Sequence, residues 1–249
     1  MLQACGLTVT VDGNTLCYKL SMKLEGGQCW ALLGRNGAGK TSLLHTLAGL
    51  RAPAEGYCLL DGERLHRLPA RQRARRLGVL LQDDVSRFPA TVLETALIGR
   101  HPFLGRWEVE READRQRARA ALRQMALAGW EQRAVQSLSG GERRRLDLAV
   151  LLTQDPPVML LDEPLNHLDL AHQVRLLRLL RRLASEQGKA VLMVLHDINL
   201  AARFCDRVLL LYGGGEWETG ASDVLLEEAR LSRLYATPIR RCDGLFAAE

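Results

Sequence analysis

No apolar run in this 249-residue chain approaches the roughly 20 residues that span a bilayer. Met1 to Gly6 lacks the basic-then-apolar layout of a secretory leader. The protein is therefore expected to stay in the cytosol and not to cross a membrane itself. The six cysteines (Cys5, Cys17, Cys29, Cys58, Cys205 and Cys242) form no C-x-x-C pair, so neither a zinc site nor a disulfide framework is indicated. They read as reduced, small apolar residues. The six histidines show no metal-ligand spacing, and there is no internal repeat or low-complexity linker. Aromatic residues are few, at 5%, and do not interleave with the basic stretches as a single-strand nucleic-acid binder requires.

What is present is a globular composition, 47% apolar and 25% charged, long enough for a full core in one large domain. A net charge of +5 keeps nucleic acid or an anionic membrane surface in view. The basic residues gather at Arg64 to Arg76, with Arg67, Arg71, Arg73 and Arg75, and at Arg111 to Arg123, with Arg115, Arg117 and Arg119. Both stretches read as solvated helix faces.

Gly34-Arg35-Asn36-Gly37-Ala38-Gly39-Lys40-Thr41 fits the phosphate-loop pattern G-x-x-x-x-G-K-[ST]. The apolar run Trp30 to Leu33 leads in, and a helical stretch from Ser42 to Gly49 follows. That strand–loop–helix setting separates a phosphate cradle from an ordinary glycine-rich turn. Glycines let backbone N–H groups wrap a triphosphate, and the helix N-terminus adds partial positive charge. Lys40 reaches the β- and γ-phosphates, and Thr41 offers magnesium a hydroxyl.

Three further short apolar runs, Leu77 to Leu81, Val158 to Leu161 and Val191 to Leu195, read as buried strands. Helical patterns at Glu142 to Thr153 and Ala171 to Gln187 alternate with them, predicting an α/β fold around a mostly parallel sheet. The first 30 residues predict an antiparallel β portion: Leu7 to Val11, a turn at Asp12 to Thr15, then Leu20 to Leu24. From Asp83 to Gln136 the chain reads as mostly helical. An irregular piece spans Phe88 to Thr91, a helix Val92 to Ile98, a break His101 to Gly105, and a charged helix Val109 to Ala126. The chain is read as one domain, 1–249, with a helical subdomain inserted at about 84–153.

The strands end in polar groups: the phosphate loop, Gln82, Asp162-Glu163 and His196-Asp197. Ligands of open α/β sheets bind at the carboxyl ends of strands, so these groups are expected to converge on one triphosphate. Asp162 is placed to hold magnesium through its water shell, and Glu163 to take a proton from attacking water. Gln82 is suited to orienting water or binding magnesium by its amide oxygen, and His196 to donating to the γ-phosphate. Taken alone, Gln82 or His196 would be an ordinary residue at a strand end; the convergence is what gives them weight. A second anion-binding device is Leu138-Ser139-Gly140-Gly141-Glu142, just before a helix. Two such devices and one lysine-bearing loop predict a two-fold dimer, each chain's Ser-Gly-Gly covering its partner's nucleotide.

Together these residues resemble the ATP-binding cassette of ABC transporters, over nearly the whole chain. Gly34 to Thr41, with Ser42 beside it, matches Walker A, Gln82 the Q-loop, Leu138 to Glu142 the signature and Val158 to Asp162 Walker B. Glu163 takes the catalytic glutamate position, Asn166 to Asp169 the D-loop, and His196 the switch histidine. The resemblance implies a RecA-like P-loop sheet core and ATP hydrolysis, with Mg2+, inside a head-to-tail homodimer holding two ATP. It also implies docking of the helical subdomain onto two transmembrane permease subunits, at the cytoplasmic face of the membrane. An external substrate-binding protein completes such a complex, and no nucleic acid is expected.

Pro89 to Glu94, Gly99 to Gly105, Leu168 to Gln173 and Leu195 to Arg203 look like importers of iron–siderophore complexes, haem and cobalamin. In such systems cargo choice lies in the other chains. Two positions depart from the pattern. Val11 stands where many members stack adenine on an aromatic ring, so the base is expected to be held by packing, with loose base selectivity. Arg144 and Val150 stand where Gln and a later Arg are usual. A soluble ABC-type ATPase acting on DNA, ribosomes or cofactor assembly is the rival. It has the basic surface for it, but the chain lacks the long coiled-coil insertion or second cassette of such members. A nucleotide-gated scaffold without turnover is opposed by intact Glu163 and His196.

Overall fold

The computed structural model describes residues 1–82 and 89–248. Asp83 and Phe88, in the predicted irregular entry to the helical stretch, lie outside them.

Strands β1 (Leu2–Val11) and β2 (Asn14–Leu24) form a hairpin. Its two-residue turn, Asp12-Gly13, has both residues at positive φ, the twist-matched geometry that favours this dipeptide. β3 (Cys29–Leu33) runs into the phosphate loop and helix α1 (Lys40–Leu47). β4 (Glu55–Leu60) and β5 (Glu63–Arg64) return to the hairpin, giving an antiparallel sheet of order β2-β1-β4-β5. Gly56 is required there: its φ is +78°, and a Cβ would lie 2.2 Å from the Gly6 carbonyl oxygen.

Helix α2 (Ala70–Arg76) precedes β6 (Leu77–Leu80). Helices α3 (Val92–Leu97), α4 (Glu112–Gln124) and α5 (Gly140–Gln154) follow, before β7 (Val158–Leu161), α6 (Leu170–Gln187), β8 (Ala190–Val194) and α7 (Ile198–Phe204). β9 (Arg207–Gly213) and β10 (Glu216–Ala221) complete the central sheet, of order β10-β9-β3-β8-β7-β6. All its pairings are parallel except β10 with β9. The continuous apolar strands have a direct cause. Cys29, Ala31 and Leu33 face the core beneath α3 to α7, whereas Trp30 and Leu32 face α1 and the antiparallel sheet. A strand buried on both sides has no polar positions to spare.

After α8 (Ser222–Leu225) and α9 (Glu228–Tyr235) comes a small hairpin, β11 (Ile239–Cys242) and β12 (Leu245–Ala248). Asn199 of α7 locks onto it. Its Oδ1 accepts from Phe246 N at 2.7 Å, and its Nδ2 donates to Phe246 O at 3.0 Å.

The predicted break at His101 to Gly105 needs correction: Ile98–Phe103 is a 3-10 helix with Pro102 inside it. α4 also starts later than the predicted Val109. Asp114 fixes that start, because its Oδ2 accepts from Arg111 N at 3.1 Å while its Oδ1 accepts from Arg100 Nε at 2.8 Å.

Candidate functional site

The carboxyl ends of β3, β6, β7 and β8 open onto a cavity of about 600 Å³. The phosphate loop and α1 supply Asn36, Gly37, Gly39, Lys40, Thr41 and Ser42 to its wall. Gln82, Glu163 and His196 face them, and Val11 and Leu16 of the hairpin close the apolar end.

The loop is shaped by close backbone approaches. A Cβ on Gly34 would lie 2.5 Å from the Leu211 carbonyl oxygen, so β9 packs directly on the loop's first residue. Gly39, the residue before α1, has φ +95°, and a Cβ there would strike the Leu16 side chain at 2.5 Å. The Arg35 side chain is exposed and Ala38 is buried. Lys40 Nζ donates to the carbonyls of Gly34 at 2.9 Å and Arg35 at 3.0 Å, so its ammonium already lies inside the loop. Burial pushes its pKa down, against the pull of Glu163 and Asp162.

Asp162 is fully buried, and among the described residues no donor meets hydrogen-bond geometry at either of its carboxylate oxygens. Burial raises its pKa above the usual carboxylate range; the nearby Thr41 hydroxyl opposes the rise. A buried carboxylate without a donor in hydrogen-bond geometry, beside a hydroxyl at a helix N-terminus, is a donor set that fits a hydrated divalent cation.

Glu163 lies next to it at φ +45°, a left-handed conformation uncommon for a long side chain. His196 Nε2 lies 2.8 Å from Oε1. Gln82 Nε2 donates to Oε2 at 3.2 Å, and Asn166 Nδ2 donates to the same oxygen at 2.5 Å. Burial works to raise this carboxyl, but His196, Asn166 and the Lys40 charge outweigh it and hold the pKa below its usual value.

Ser139, Gly140, Gly141 and Glu142 do not line this cavity. They form the start of α5, where Ser139 Oγ accepts from Glu142 N at 3.4 Å and Glu142 Oε2 accepts from Ser139 N at 2.8 Å. This reciprocal cap explains the S-x-x-E spacing. A Cβ on Gly141 would lie 2.5 Å from the His167 carbonyl oxygen, so the segment after Glu163 packs on the first turn of α5. Asp169 also stands apart from the cavity. It caps α6, its Oδ1 accepting from His172 N at 2.8 Å.

Of the strand-end residues read from sequence, the phosphate loop, Gln82, Glu163 and His196 are brought together with Asp162 beside Thr41, whereas Asp197 instead caps α7, its Oδ1 accepting from Asn199 N at 2.8 Å, and the Ser-Gly-Gly segment lies apart. Sequence reading missed Leu16 as a cavity wall, although it falls in the second half of a recognisable hairpin. It also missed Asn166 as a partner of Glu163; the three-residue spacing was the available signal.

Residues 17–166 match the ABC transporter family. The chain belongs to that family. It is 37% identical over 229 residues to the achromobactin transport ATP-binding protein of Dickeya dadantii, covering 92% of this chain and 85% of that one. It is 43% identical over 219 residues to the hemin import ATP-binding protein of Pseudomonas fluorescens, covering 86% and 84% respectively. A dimeric ATP-binding cassette in a post-hydrolysis state, bound to ADP and Pi, superimposes with a TM-score of 0.78 at 27% identity, over 89% of this chain and 99% of that one. This member of the family is an ATP-binding, ATP-hydrolysing subunit, an α/β cassette with a mostly parallel central sheet beside an antiparallel one.

Proposed function

We propose that this chain powers an importer for a metal-chelate cargo of the iron–siderophore, haem or cobalamin type. Two copies would sit under two permease subunits at the cytoplasmic face of the membrane, with an external substrate-binding protein delivering the cargo. The likeness to achromobactin and hemin transport proteins supports the cargo class. The observation that carries the energetic role is the meeting of Lys40, Gln82, Glu163 and His196 in one cavity.

In this reading the amides of Gly34 to Gly39 and the Lys40 ammonium hold the triphosphate, and Ser42 flanks it. Arg35, Asn36, Gly37 and Ala38 act through their backbone. Val11 and Leu16 cover the base. Thr41, Asp162 and Gln82 would hold Mg2+, which neutralises charge on the phosphate oxygens. The partner chain's Ser139, Gly140, Gly141 and Glu142 complete each site, and Asp169 lies in the D-loop between the two. Residues 1–249 act as one cassette, with the helical subdomain at about 84–153 facing the permease.

Glu163 is the general base. Its three donors keep it a weak base while they remain in place. With His196 turned to the γ-phosphate and Gln82 used to hold Mg2+, Glu163 would keep only the Asn166 donor and become a stronger base toward the attacking water. His196 then stabilises the charge developing on the phosphoryl group.

Glu163→Gln is expected to retain ATP but lose turnover by a factor on the order of a thousand, about 4 kcal/mol of barrier. Near-normal hydrolysis would remove Glu163 from this role. Purification from membranes checks the partner: a detergent-extracted complex with a permease supports transport, whereas a soluble form carrying nucleic acid supports the rival ATPase reading.

A further inference from the structure

Arg144 lies on α5, five residues beyond Ser139, and is 4% exposed. Its guanidinium ties two strand ends together. Nη1 donates to Leu81 O at 2.6 Å; Nη2 donates to Asp162 O at 2.5 Å and to Glu163 O at 2.9 Å. The first carbonyl immediately precedes Gln82. The second belongs to the peptide that joins Asp162 to Glu163, and the third to Glu163 itself.

These contacts explain how Glu163 stays in a left-handed conformation. Such a backbone persists only where its surroundings over-determine it, and hydrogen bonds to the carbonyls on both sides of Glu163 do so. The fork of a guanidinium suits this task. It presents five donors in a fixed plane and reaches three acceptors without rearranging. A glutamine in its place would offer two donors on a shorter stem. The buried positive charge also opposes the cost of burying the Asp162 carboxylate.

α5 therefore carries two devices on one rigid rod. Its N-terminus holds Ser139 and the two glycines, and just over one turn later Arg144 grips the peptide segments bearing Gln82, Asp162 and Glu163. We propose that Arg144 is a positioning residue that couples the two nucleotide sites. Closure of Ser139 on the partner's nucleotide moves α5, and Arg144 transmits that movement to Glu163 and Gln82 in the chain's own site. Arg144 does not line the Lys40 cavity. This coupling rests on the paired-chain reading given above.

The test uses the full-length chain with Arg144→Gln, Arg144→Lys and Arg144→Ala. The readouts are nucleotide affinity (a fluorescent ATP analogue), kcat, the Hill coefficient for ATP and the thermal midpoint. Arg144→Gln and Arg144→Ala are expected to lower kcat by about tenfold or more, leave nucleotide Kd within twofold, and bring the Hill coefficient toward one. Arg144→Lys, with one point charge in place of a fork, is expected to fall between them and the parent. A kcat within twofold of the parent in folded Arg144→Gln overturns the proposal. So does a loss of kcat matched by an equal rise in Kd, or a lowered kcat with an unchanged Hill coefficient. If Arg144→Ala does not fold, the glutamine and lysine variants decide. A parent that shows neither ATP-dependent pairing nor a Hill coefficient above one counts against the paired-chain reading and with it the coupling. The split between kcat and Kd then decides whether Arg144 still positions Glu163 within a single chain.

Discussion

Asp162 carries a stability cost through its burial. A carboxyl whose pKa is raised on folding opposes the fold once it ionises. Stability falls as pH rises through the span between its unfolded and folded values, and the deficit persists above it. Asp162→Asn is therefore expected to raise the thermal midpoint of the metal-free protein at neutral pH while abolishing ATP turnover. A lowered midpoint in a melting experiment would show that the carboxylate is a net support. Residues of this kind were legible in sequence because each directly follows a short apolar run: Gln82, Asp162, Glu163 and His196 all mark strand ends. Arg144 and Leu16 were not legible in their roles, because each acts across the fold. Arg144 reaches Leu81 over 63 positions of chain, and no local pattern encodes such a contact.

Among the helices, the linkage between the 3-10 segment at Ile98–Phe103 and α4 is the clearest single case. Arg100 and Asp114 form an ion pair at 2.8 Å with both side chains 12% exposed, and Arg100 also lies over the Phe103 ring at 4.0 Å. Burial acts to raise the Asp114 carboxyl, but the Arg100 and Arg111 contacts prevail and leave its pKa lowered. A lowered folded pKa supplies stability above the unfolded value and loses it as pH falls through the folded one. Asp114→Asn is thus expected to cost about 3 kcal/mol near neutral pH, and the gap to the parent should close progressively below about pH 4. Denaturant titration at several pH values measures this; a pH-independent gap would assign the loss to the α4 cap instead. Helix existence was readable here from periodicity, whereas the boundaries were not. Asp114 sets the start of α4 by accepting from Arg111 N, which moves it from the expected Val109 to Glu112.

For the molecule as a whole, the parallel character of the sheet that holds β3, β8, β7 and β6 followed from alternation of apolar runs with helices, but their order did not. The pairing of β4 with β1 did not: Leu2 opposes Leu60, and that register is set by tertiary packing rather than by any neighbouring turn. The separation of Ser139 from the Lys40 cavity bears on assembly. Glu163→Gln is expected to pair in ATP, visible as a doubled mass by light scattering, and Ser139→Glu, which places a negative charge against phosphate, is expected to remain single. Pairing of the Ser139→Glu protein in ATP would remove the signature segment from the interface. One more handle lies at the small β11–β12 hairpin, which Asn199 ties to the helix just after His196. Cys242 sits at its turn and is the one cysteine of six classed as exposed; Cys5 is half-buried and the other four are buried. A thiol-reactive dye added to the unaltered protein would favour that spot, so a fluorescence change on adding ATP would report movement near His196 without any engineered label.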